Sequence, residues 1–326
     1  MIQKINIGIL GCANIADRWM IPAIKALSQY YNLIGIASRS EDKAIEFATK
    51  FNTKSYNGYA ELLDESALEA VYIPLPNALH AQWIETAVGL GLHVLVEKSL
   101  ACTYEDVRRL NEIANAKSLA LVENFQFRFH SQLDFIQKLL SDGTIGELRC
   151  MRSSFGFPPF PDATNIRYQH ELGGGSLLDA GAYPIKLSQI FLGNDLEVNA
   201  ANLTFDSIKG VDIWGGAYLK QTNGTRFSEV AFGFDNFYQC NLELWGTKGK
   251  IYTNRIFTAH PDHHPIIELE TATGKDIIKL PADHHFKNML IYFHNLIILK
   301  NTLENEYFQN NAQAKLIAEL KNKANE

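Results

Sequence analysis

Cysteine, clustered basic charge and long apolar runs are all scarce in this sequence. The cysteines number only four, and no two of them form a CxxC pair (Cys12, Cys102, Cys150 and Cys240), which argues against a disulfide framework or a zinc knuckle. No apolar run approaches the ~20 residues of a membrane helix, and the first residues lead into a strand pattern without an apolar signal core. We therefore expect reduced thiols and a cytoplasmic protein.

The charge balance bears on the choice of partners. The chain has 30 lysines and arginines against 36 aspartates and glutamates, a formal net charge of -6, and no basic cluster longer than a pair. Because nucleic-acid binding needs a basic footprint, we expect neither a nucleic-acid nor a membrane partner. With 326 residues, 46% of them hydrophobic, the chain is long enough for two packed domains.

The first 123 residues alternate between strand-like and helix-like patterns. The predicted strands cover 4–10, 33–37, 70–73, 93–98 and 119–123, and the predicted helices cover 17–30, 41–51, 59–63, 78–90 and 104–117. Repeated strand–helix units of this length predict a parallel, doubly wound sheet and hence an α/β fold.

The turn after the first predicted strand has most of a dinucleotide-binding fingerprint. Gly11 stands at the first glycine position of G-x-G-x-x-G/A, Ala13 replaces the second glycine, and Ala16 fits the third position. Such a turn brings the first amides of a helix to a pyrophosphate. An ordinary strand-to-helix turn is the alternative.

The second predicted strand ends in Ser38-Arg39, where an NAD enzyme would carry an acid for the ribose 2′-hydroxyl. A hydroxyl beside a guanidinium suits a 2′-phosphate instead, which Arg39 can meet with two hydrogen bonds. This favours NADP(H), with NAD(H) as the alternative cofactor. The competing interpretation is that Arg39 is a solvated loop residue.

Two further strand ends indicate where a ligand would bind. The run ending at Ile73 stops at a Pro-Leu-Pro-Asn segment, and the next strand delivers Glu97 and Lys98 to its exit. In an open parallel sheet, ligands bind beyond the carboxyl ends of the strands. Lys98 is therefore a candidate site residue, unless the strand simply enters solvent there.

The pattern changes near residue 124, which predicts domains over 1–123 and 124–326. After a helix over 132–141, alternating strands are predicted at 147–157, 196–206, 213–221, 226–234, 238–246, 249–257 and 264–272. They predict an α+β domain with a large, mostly antiparallel sheet. Since a second subunit often covers one face of such a sheet, we expect a homodimer or homotetramer.

A glycine-rich stretch, residues 173–184, precedes most of these strands. Its three glycines allow close backbone approach to a ligand, Ser176 is a suitable helix N-cap, and Asp179 and Tyr183 fall four residues apart on one helical face. Pro184 predicts a kink. Alternatively, Asp179 faces water and Tyr183 lies in the core. The adjacent histidine pairs at 263–264 and 284–285 have no metal-ligand spacing, so we expect no metal site.

The ordered set GILGCANIA, IASRS, YIPLPNALH, VLVEKSL and GGGSLLDAGAYP resembles the Gfo/Idh/MocA family of NAD(P)-dependent sugar oxidoreductases across nearly the whole chain. NIRYQHELGGGSLLDAGAYPIK, the 254–258 strand end and the 284–292 helix are most similar to the sugar-nucleotide C-3 ketoreductases. The resemblance implies an N-terminal Rossmann domain for the cofactor and a C-terminal domain with an open sheet over the sugar.

Carried over position by position, the resemblance also implies a set of site residues. Lys98 and Tyr183 would be the catalytic pair, with Asp179 in support. The implied cofactor contacts are Gly11, Ala13, Asn14 and Ile15 at the pyrophosphate, Ser38 and Arg39 at the 2′-phosphate, Leu75, Asn77, His80, Glu97 and Lys98 along the ribose and nicotinamide, and Arg167 from the second domain.

The implied activity is NADPH-dependent reduction of a keto group at C3 of a nucleotide-linked sugar, with Tyr183 donating the proton and Lys98 holding the oxygen. The alternatives are a dehydrogenase of a free sugar, cyclitol or diol, and a non-catalytic regulator that binds the cofactor. One position departs from the family pattern, which is usually Glu-Lys-Pro with a cis bond before proline. Here Ser99 follows Lys98, so that bond is either cis to serine or trans with Lys98 displaced.

Overall fold

The computed structural model describes residues 2–299 and 303–326. The chain divides into two compact units, one formed by Met1–Phe125 with Phe286–Asn311 and the other by Gln126–His285 with Ala312–Glu326. Within the described residues, no helix is both long and apolar enough to cross a membrane.

The first unit contains a six-stranded parallel sheet, which confirms the predicted doubly wound α/β fold. Its strands are β1 (Ile5–Leu10), β2 (Tyr31–Ser38), β3 (Lys54–Asn57), β4 (Ala70–Ile73), β5 (His93–Glu97) and β6 (Leu121–Asn124). The strand order is β3-β2-β1-β4-β5-β6, and every pairing is parallel. The order reverses between β1 and β4, where doubly wound sheets form their ligand crevice.

The helices between these strands are α1 (Ile21–Ala26), α2 (Glu41–Phe51), α3 (Tyr59–Leu63), α4 (Asn77–Gly89) and α5 (Tyr104–Ala116). A π-helical turn, Ala16–Met20, precedes α1. The predicted helix over 17–30 therefore ends four residues early, and it contains this wider turn. Pro22 explains the turn. Because proline has no backbone N–H, it cannot donate to the carbonyl four residues before it, and the wider hydrogen-bond spacing of a π-helical turn accommodates the missing hydrogen bond.

The second unit contains an eight-stranded sheet in the order β14-β13-β12-β11-β7-β10-β9-β8. Only β7 and β10 pair in parallel, so the predicted mostly antiparallel sheet is confirmed. The strands are β7 (Leu148–Gly156), β8 (Leu196–Phe205), β9 (Asp212–Gln221), β10 (Phe227–Gly233), β11 (Gln239–Gly246), β12 (Gly249–Asn254), β13 (Ile266–Thr271) and β14 (Gly274–Lys279).

Two helices of this unit precede and follow β7. They are α6 (Ser131–Ser141) and α7 (Ala182–Leu192), and α7 packs on β7 and β10. A second π-helical turn, Leu177–Gly181, leads into α7 and again lies just before a proline, Pro184. The kink predicted at this proline takes the form of that wide turn.

Two C-terminal helices complete the chain, α8 (His285–Leu299) and α9 (Leu303–Ala324). Buried polar contacts hold them to each unit. In the first unit, the Tyr31 hydroxyl donates to the Leu290 carbonyl at 2.6 Å, and the Tyr307 hydroxyl donates to the Leu119 carbonyl at 2.6 Å. In the second unit, the Gln313 amide donates to the Ala182 carbonyl at 2.9 Å. The described residues of 286–311 thus belong to the first unit, which corrects the predicted assignment of this segment to the second domain.

Candidate active site

The turn after β1 is built around Gly11, whose φ of +125° favours glycine. A Cβ at this position would lie 2.8 Å from Leu75 Cδ2, so the glycine lets the β4–α4 segment approach the turn closely. The Gly11 amide donates to the Ala37 carbonyl at 2.9 Å. Ala13, Asn14 and Ile15 follow in the entry to the helix, where none of the three is fully buried. The sequence-predicted pyrophosphate residues therefore lie together at the switch point of the sheet.

At the end of β2, Ser38 is buried and Arg39 is exposed. Ser38 Oγ accepts from the Ser40 amide at 3.2 Å. The Arg39 guanidinium lies near the Tyr59 phenol and opposes the burial that raises the pKa of Tyr59. Tyr59 in turn packs edge-on against Trp83, with ring centroids 5.0 Å apart. Arg39 thus lies beside the Tyr59 phenol, and its side chain remains exposed.

His80 is fully buried and lies between two backbone carbonyls. Nε2 is 2.7 Å from the Leu75 oxygen, and Nδ1 is 2.8 Å from the Ser99 oxygen. Burial lowers the pKa of His80 to about 4, although both carbonyls favour the protonated ring. With both ring nitrogens facing the backbone, His80 connects the two strand-end segments and does not present a nitrogen to a ligand.

Glu97 lies at the end of β5 among polar side chains from its two neighbouring strands. Its Oε1 accepts from the Tyr72 hydroxyl at 2.5 Å and from the Asn124 amide at 2.7 Å. Burial raises the pKa of the Glu97 carboxyl, and these two donors oppose the shift. Glu97 is thereby held in one position beside the half-buried Lys98.

The Lys98–Ser99 peptide bond is cis, which decides between the two alternatives that the sequence left open. Ser99 itself is buried, and its carbonyl faces His80. The next amide, of Leu100, donates to Glu123 Oε1 at 2.9 Å. Side chains from α4 and β6 therefore fix the backbone immediately after Lys98.

In the second unit, the predicted Arg167 and Asp179 form an ion pair. Arg167 Nε donates to Asp179 Oδ2 at 2.6 Å, with 34% and 15% of the two side chains exposed. Asp179 raises the pKa of Arg167, and the Tyr183 phenol contributes in the same direction. The Arg167 guanidinium also lies 4.7 Å from the centre of the Phe160 ring. Sequence reasoning placed Arg167 and Asp179 in the site but did not predict this pairing.

Tyr183 is 7% exposed and lies in a cluster of aromatic rings. Its ring centroid is 5.0 Å from that of Phe155, 5.5 Å from that of Phe257 and 5.7 Å from that of Phe127. These contacts fix the plane of the phenol and exclude water from its ring. The three phenylalanines come from segments far apart in the chain, so no local motif could have identified the cluster.

In the glycine-rich stretch, the helix cap predicted at Ser176 is wrong. Ser176 is already in helical conformation and does not cap; its hydroxyl donates to Asp212 Oδ2 at 2.7 Å, and the Leu177 amide donates to the same oxygen at 2.6 Å. A Cβ at Gly175 would lie 2.3 Å from Asp212 Oδ1, and one at Gly174 would lie 2.5 Å from the Arg167 carbonyl. These two glycines therefore accommodate the chain itself, and Asp212 supplies the cap.

Across residues 2–299 and 303–326, no group of three or more His, Cys, Asp and Glu side chains could hold a metal ion. All four cysteines are free thiols. His264 Nδ1 lies 3.0 Å from the Leu280 carbonyl, and His285 packs edge-on against His130 with ring centroids 5.7 Å apart. Both histidines therefore make structural contacts within the protein.

Family models match both parts of the chain. The model of the oxidoreductase family with an NAD-binding Rossmann fold covers residues 5–125, and that of the GFO/IDH/MocA C-terminal domain covers residues 134–252. The dTDP-3,4-didehydro-2,6-dideoxy-alpha-D-glucose 3-reductase of Saccharopolyspora spinosa is 39% identical over 90% of this chain and 87% of its own length. The D-xylose 1-dehydrogenase (NADP(+)) 2 of Haloferax volcanii is 32% identical over 78% and 77%.

The same relationship holds for solved structures. KijD10, a 3-ketoreductase from Actinomadura kijaniata solved in complex with NADP and TDP-benzene, superposes with a TM-score of 0.94 at 35% identity, covering 98% of each chain. Sequence and structure agree along the whole length. The chain belongs to the Gfo/Idh/MocA family of oxidoreductases.

Proposed function

We propose that this protein uses NADPH to reduce a keto group, at C3, of a nucleotide-linked keto sugar. The observation that carries the proposal is the agreement along nearly the full length with 3-reductases of a dTDP-linked sugar, at 37–39% identity. The solved neighbour with NADP and a TDP derivative supports the same cofactor and substrate class.

The residues at the end of β2 fit a phosphorylated cofactor. No acid stands at Ser38 or Arg39 to bind a ribose 2′-hydroxyl, and the exposed Arg39 side chain lies beside the Tyr59 phenol. A planar guanidinium can donate two parallel hydrogen bonds to a phosphate. We assign the 2′-phosphate to Arg39 and Ser38, and the pyrophosphate to the turn at Gly11.

The proposed chemistry assigns the proton to Tyr183. NADPH, when bound, supplies the hydride to the carbonyl carbon, and the resulting alkoxide must take up a proton. A phenol with a reference pKa of ~10 is a weak donor unless cations favour its phenolate. Arg167 provides one positive charge near Tyr183, and we assign to Lys98 the binding of the substrate oxygen. Asp179 keeps Arg167 in place.

The domain roles follow the same division. We assign the cofactor to residues 1–123 and the sugar to residues 124–326, with the qualification that residues 286–311 pack in the first unit. A segment from the second half of the chain therefore belongs to the unit to which we assign the cofactor.

The second sheet also supports a homo-oligomer. Its face opposite α7 carries Trp214 and Trp245, which are 43% and 42% exposed. On the same face, Arg152 lies 4.2 Å from the Trp245 ring centre and pairs with Glu229 at 2.6 Å. Aromatic and arginine side chains are enriched in protein interfaces. We propose a dimer or tetramer through this face, measurable by sedimentation velocity with a Trp245→Glu variant.

The test of the function is the loss of NADPH absorbance with nucleotide-linked 3-keto sugars produced in place by a dehydratase. NADH with the same substrates, and NADP⁺ with free sugars and diols, serve as parallel reactions. Consumption restricted to NADPH with nucleotide-linked sugars supports the proposal. Oxidation of free sugars alone would instead assign the enzyme to the dehydrogenase branch, and tight NADPH binding without any turnover would indicate a regulator.

A further inference from the structure

The residue after β12, Arg255, has a backbone conformation that is unusual for its position. Within the described part of the chain, three residues other than glycine have positive φ: Asn52, Ser118 and Arg255. The first two end or follow helices, where a left-handed residue is common. Arg255, with φ of +58°, instead follows a strand. Such conformations persist where the surroundings enforce them, and they concentrate at ligand sites.

The surroundings of Arg255 do enforce its conformation. The next two residues, Ile256 and Phe257, are fully buried. The Ile256 amide donates to the Cys240 carbonyl, and the Phe257 amide donates to Cys240 Sγ, both at 3.4 Å. In addition, Gln132 Nε2 donates to the Ile256 carbonyl at 3.4 Å. With its successors fixed, Arg255 projects its side chain outward, where it is exposed.

An aromatic ring and a hydroxyl hold the guanidinium in place. Its central carbon lies 4.8 Å from the centre of the Tyr238 ring. The Tyr238 hydroxyl lies 3.1 Å from Thr258 Oγ1, which fixes the ring beneath the guanidinium. Stacking on a ring leaves the edge of the guanidinium, which carries its hydrogen-bond donors, free for a planar or tetrahedral oxyanion.

The charge of Arg255 is not neutralised by a carboxylate of the described chain. Arg152 and Arg167 of the same unit, by contrast, both have acidic partners. The charge of Arg255 also reaches His263, whose pKa is lowered by burial and further by Arg255. The Arg255 patch, meaning Arg255 with Tyr238, Thr258 and His263, therefore carries one guanidinium charge that forms no ion pair with a carboxylate of the described residues.

This patch is connected to the proposed proton donor through Phe257, which follows Arg255 by two residues and packs on Tyr183. Arg255 and Phe257 are two residues apart, so their Cα atoms are at most about 7 Å apart. The Phe257 ring centroid lies 5.5 Å from that of Tyr183. In a nucleotide-linked sugar the diphosphate is on C1, and only C2 separates C1 from a keto group at C3. A cation that binds the diphosphate must therefore lie in the neighbourhood of the residue that protonates the C3 oxygen, and Arg255 meets this condition through Phe257.

We propose that Arg255, stacked on Tyr238, binds the diphosphate of the nucleotide-linked substrate. The inference rests on the proposed function for the identity of the ligand, but the subsite is defined by its own residues. Arg255 is then a determinant of specificity, because free sugars lack a diphosphate and gain no binding energy from this residue.

The test compares two variants by isothermal titration with thymidine 5′-diphosphate, in the presence of NADP⁺. Arg255→Gly removes the guanidinium and tolerates the positive φ, so the strand end keeps its conformation. Arg226→Gln removes one positive charge from an exposed turn of the same unit and serves as the matched control. We expect Arg255→Gly to weaken thymidine diphosphate binding about 10- to 100-fold, as loss of charge-assisted hydrogen bonds does, and the control to bind as the wild type does.

Two further readouts identify the group that Arg255 contacts. Binding of thymidine, which has no phosphate, and of NADPH should be unchanged in Arg255→Gly. With the nucleotide-linked substrate, KM should rise by a similar factor while kcat changes little, because the diphosphate is bound equally before and during the reaction. Arg255→Lys should restore part of the lost affinity.

Three outcomes would overturn the inference: equal thymidine diphosphate affinity in the two variants, equal weakening of thymidine and its diphosphate, or loss of NADPH binding, which would assign Arg255 to the cofactor. Failure of the proposed function is distinguishable. In that case the wild type would oxidise no NADPH with nucleotide-linked sugars, while diphosphate binding would still depend on Arg255.

Discussion

Replacing Tyr183 by Phe separates the role of the phenolic hydroxyl from that of the ring. The ring packs on Phe127, Phe155 and Phe257 at 5.0 to 5.7 Å, and phenylalanine keeps all three contacts. Truncation to alanine would remove a buried aromatic side chain and cost ~3–5 kcal/mol of unfolding free energy. The Phe variant should therefore unfold close to the wild-type denaturant midpoint.

The catalytic consequence should be large. Loss of a positioned acid lowers turnover by ~100-fold or more, which corresponds to about 2.7 kcal/mol in the barrier. NADPH affinity should be nearly unchanged. The assay is single-turnover NADPH oxidation with enzyme in excess over the keto sugar, because product release can hide a slower chemical step in steady-state turnover. A single-turnover rate within about threefold of the wild type would remove Tyr183 from the acid role.

The remaining predictions concern the cofactor end, the cap and the pH dependence. Tyr59→Phe, which removes the hydroxyl beside Arg39, should raise the KM for NADPH about fivefold and leave that for NADH unchanged; an equal rise for both would contradict a role at the 2′-phosphate. Asp212→Asn should lower the unfolding free energy by ~1–2 kcal/mol in urea titrations, because its carboxylate caps the turn before α7; an unchanged midpoint would refute the cap. Because the folded-state pKa of His80 is about 4 against 6.5, its contribution to stability is complete above pH 6.5. That contribution is lost as pH falls towards 4, by up to about 3 kcal/mol, and a His80→Gln variant should flatten this part of the stability curve.

The sequence predicted the strands whose burial pattern is one-sided or complete, and it missed two strands without such a pattern as well as the C-terminal helix α9. Helices α2 and α3 and strand β4 have the predicted bounds. The missed strands, β3 and β14, are both outermost in their sheets, and nearly all of their residues are exposed or half-buried. Edge strands with polar residues on both faces avoid aggregation but show no alternation. Their pairing depends on the neighbouring strand, which a local pattern cannot reveal.

Within the site, motifs indicated which residues to examine but not their partners. Ser176 has the residue type of an N-cap, yet Asp212, 36 residues later, supplies the cap. His80 has the residue type of a ligand-binding side chain, yet both of its nitrogens face backbone carbonyls. Each outcome depends on a contact between separate segments. Residue type and spacing carry local information, and these contacts are set by the fold.

The pairing of Arg167 with Asp179 changes how Asp179 supports catalysis. A carboxylate alone near a phenol would disfavour the phenolate and raise its pKa, which would make the phenol a weaker acid. The Asp179 carboxylate is instead paired with Arg167 at 2.6 Å, and the Tyr183 phenol, like Asp179, raises the pKa of Arg167. In the mechanism that we propose, Asp179 is therefore a positioning residue: it holds Arg167 near Tyr183, and we expect its influence on proton transfer to pass through Arg167.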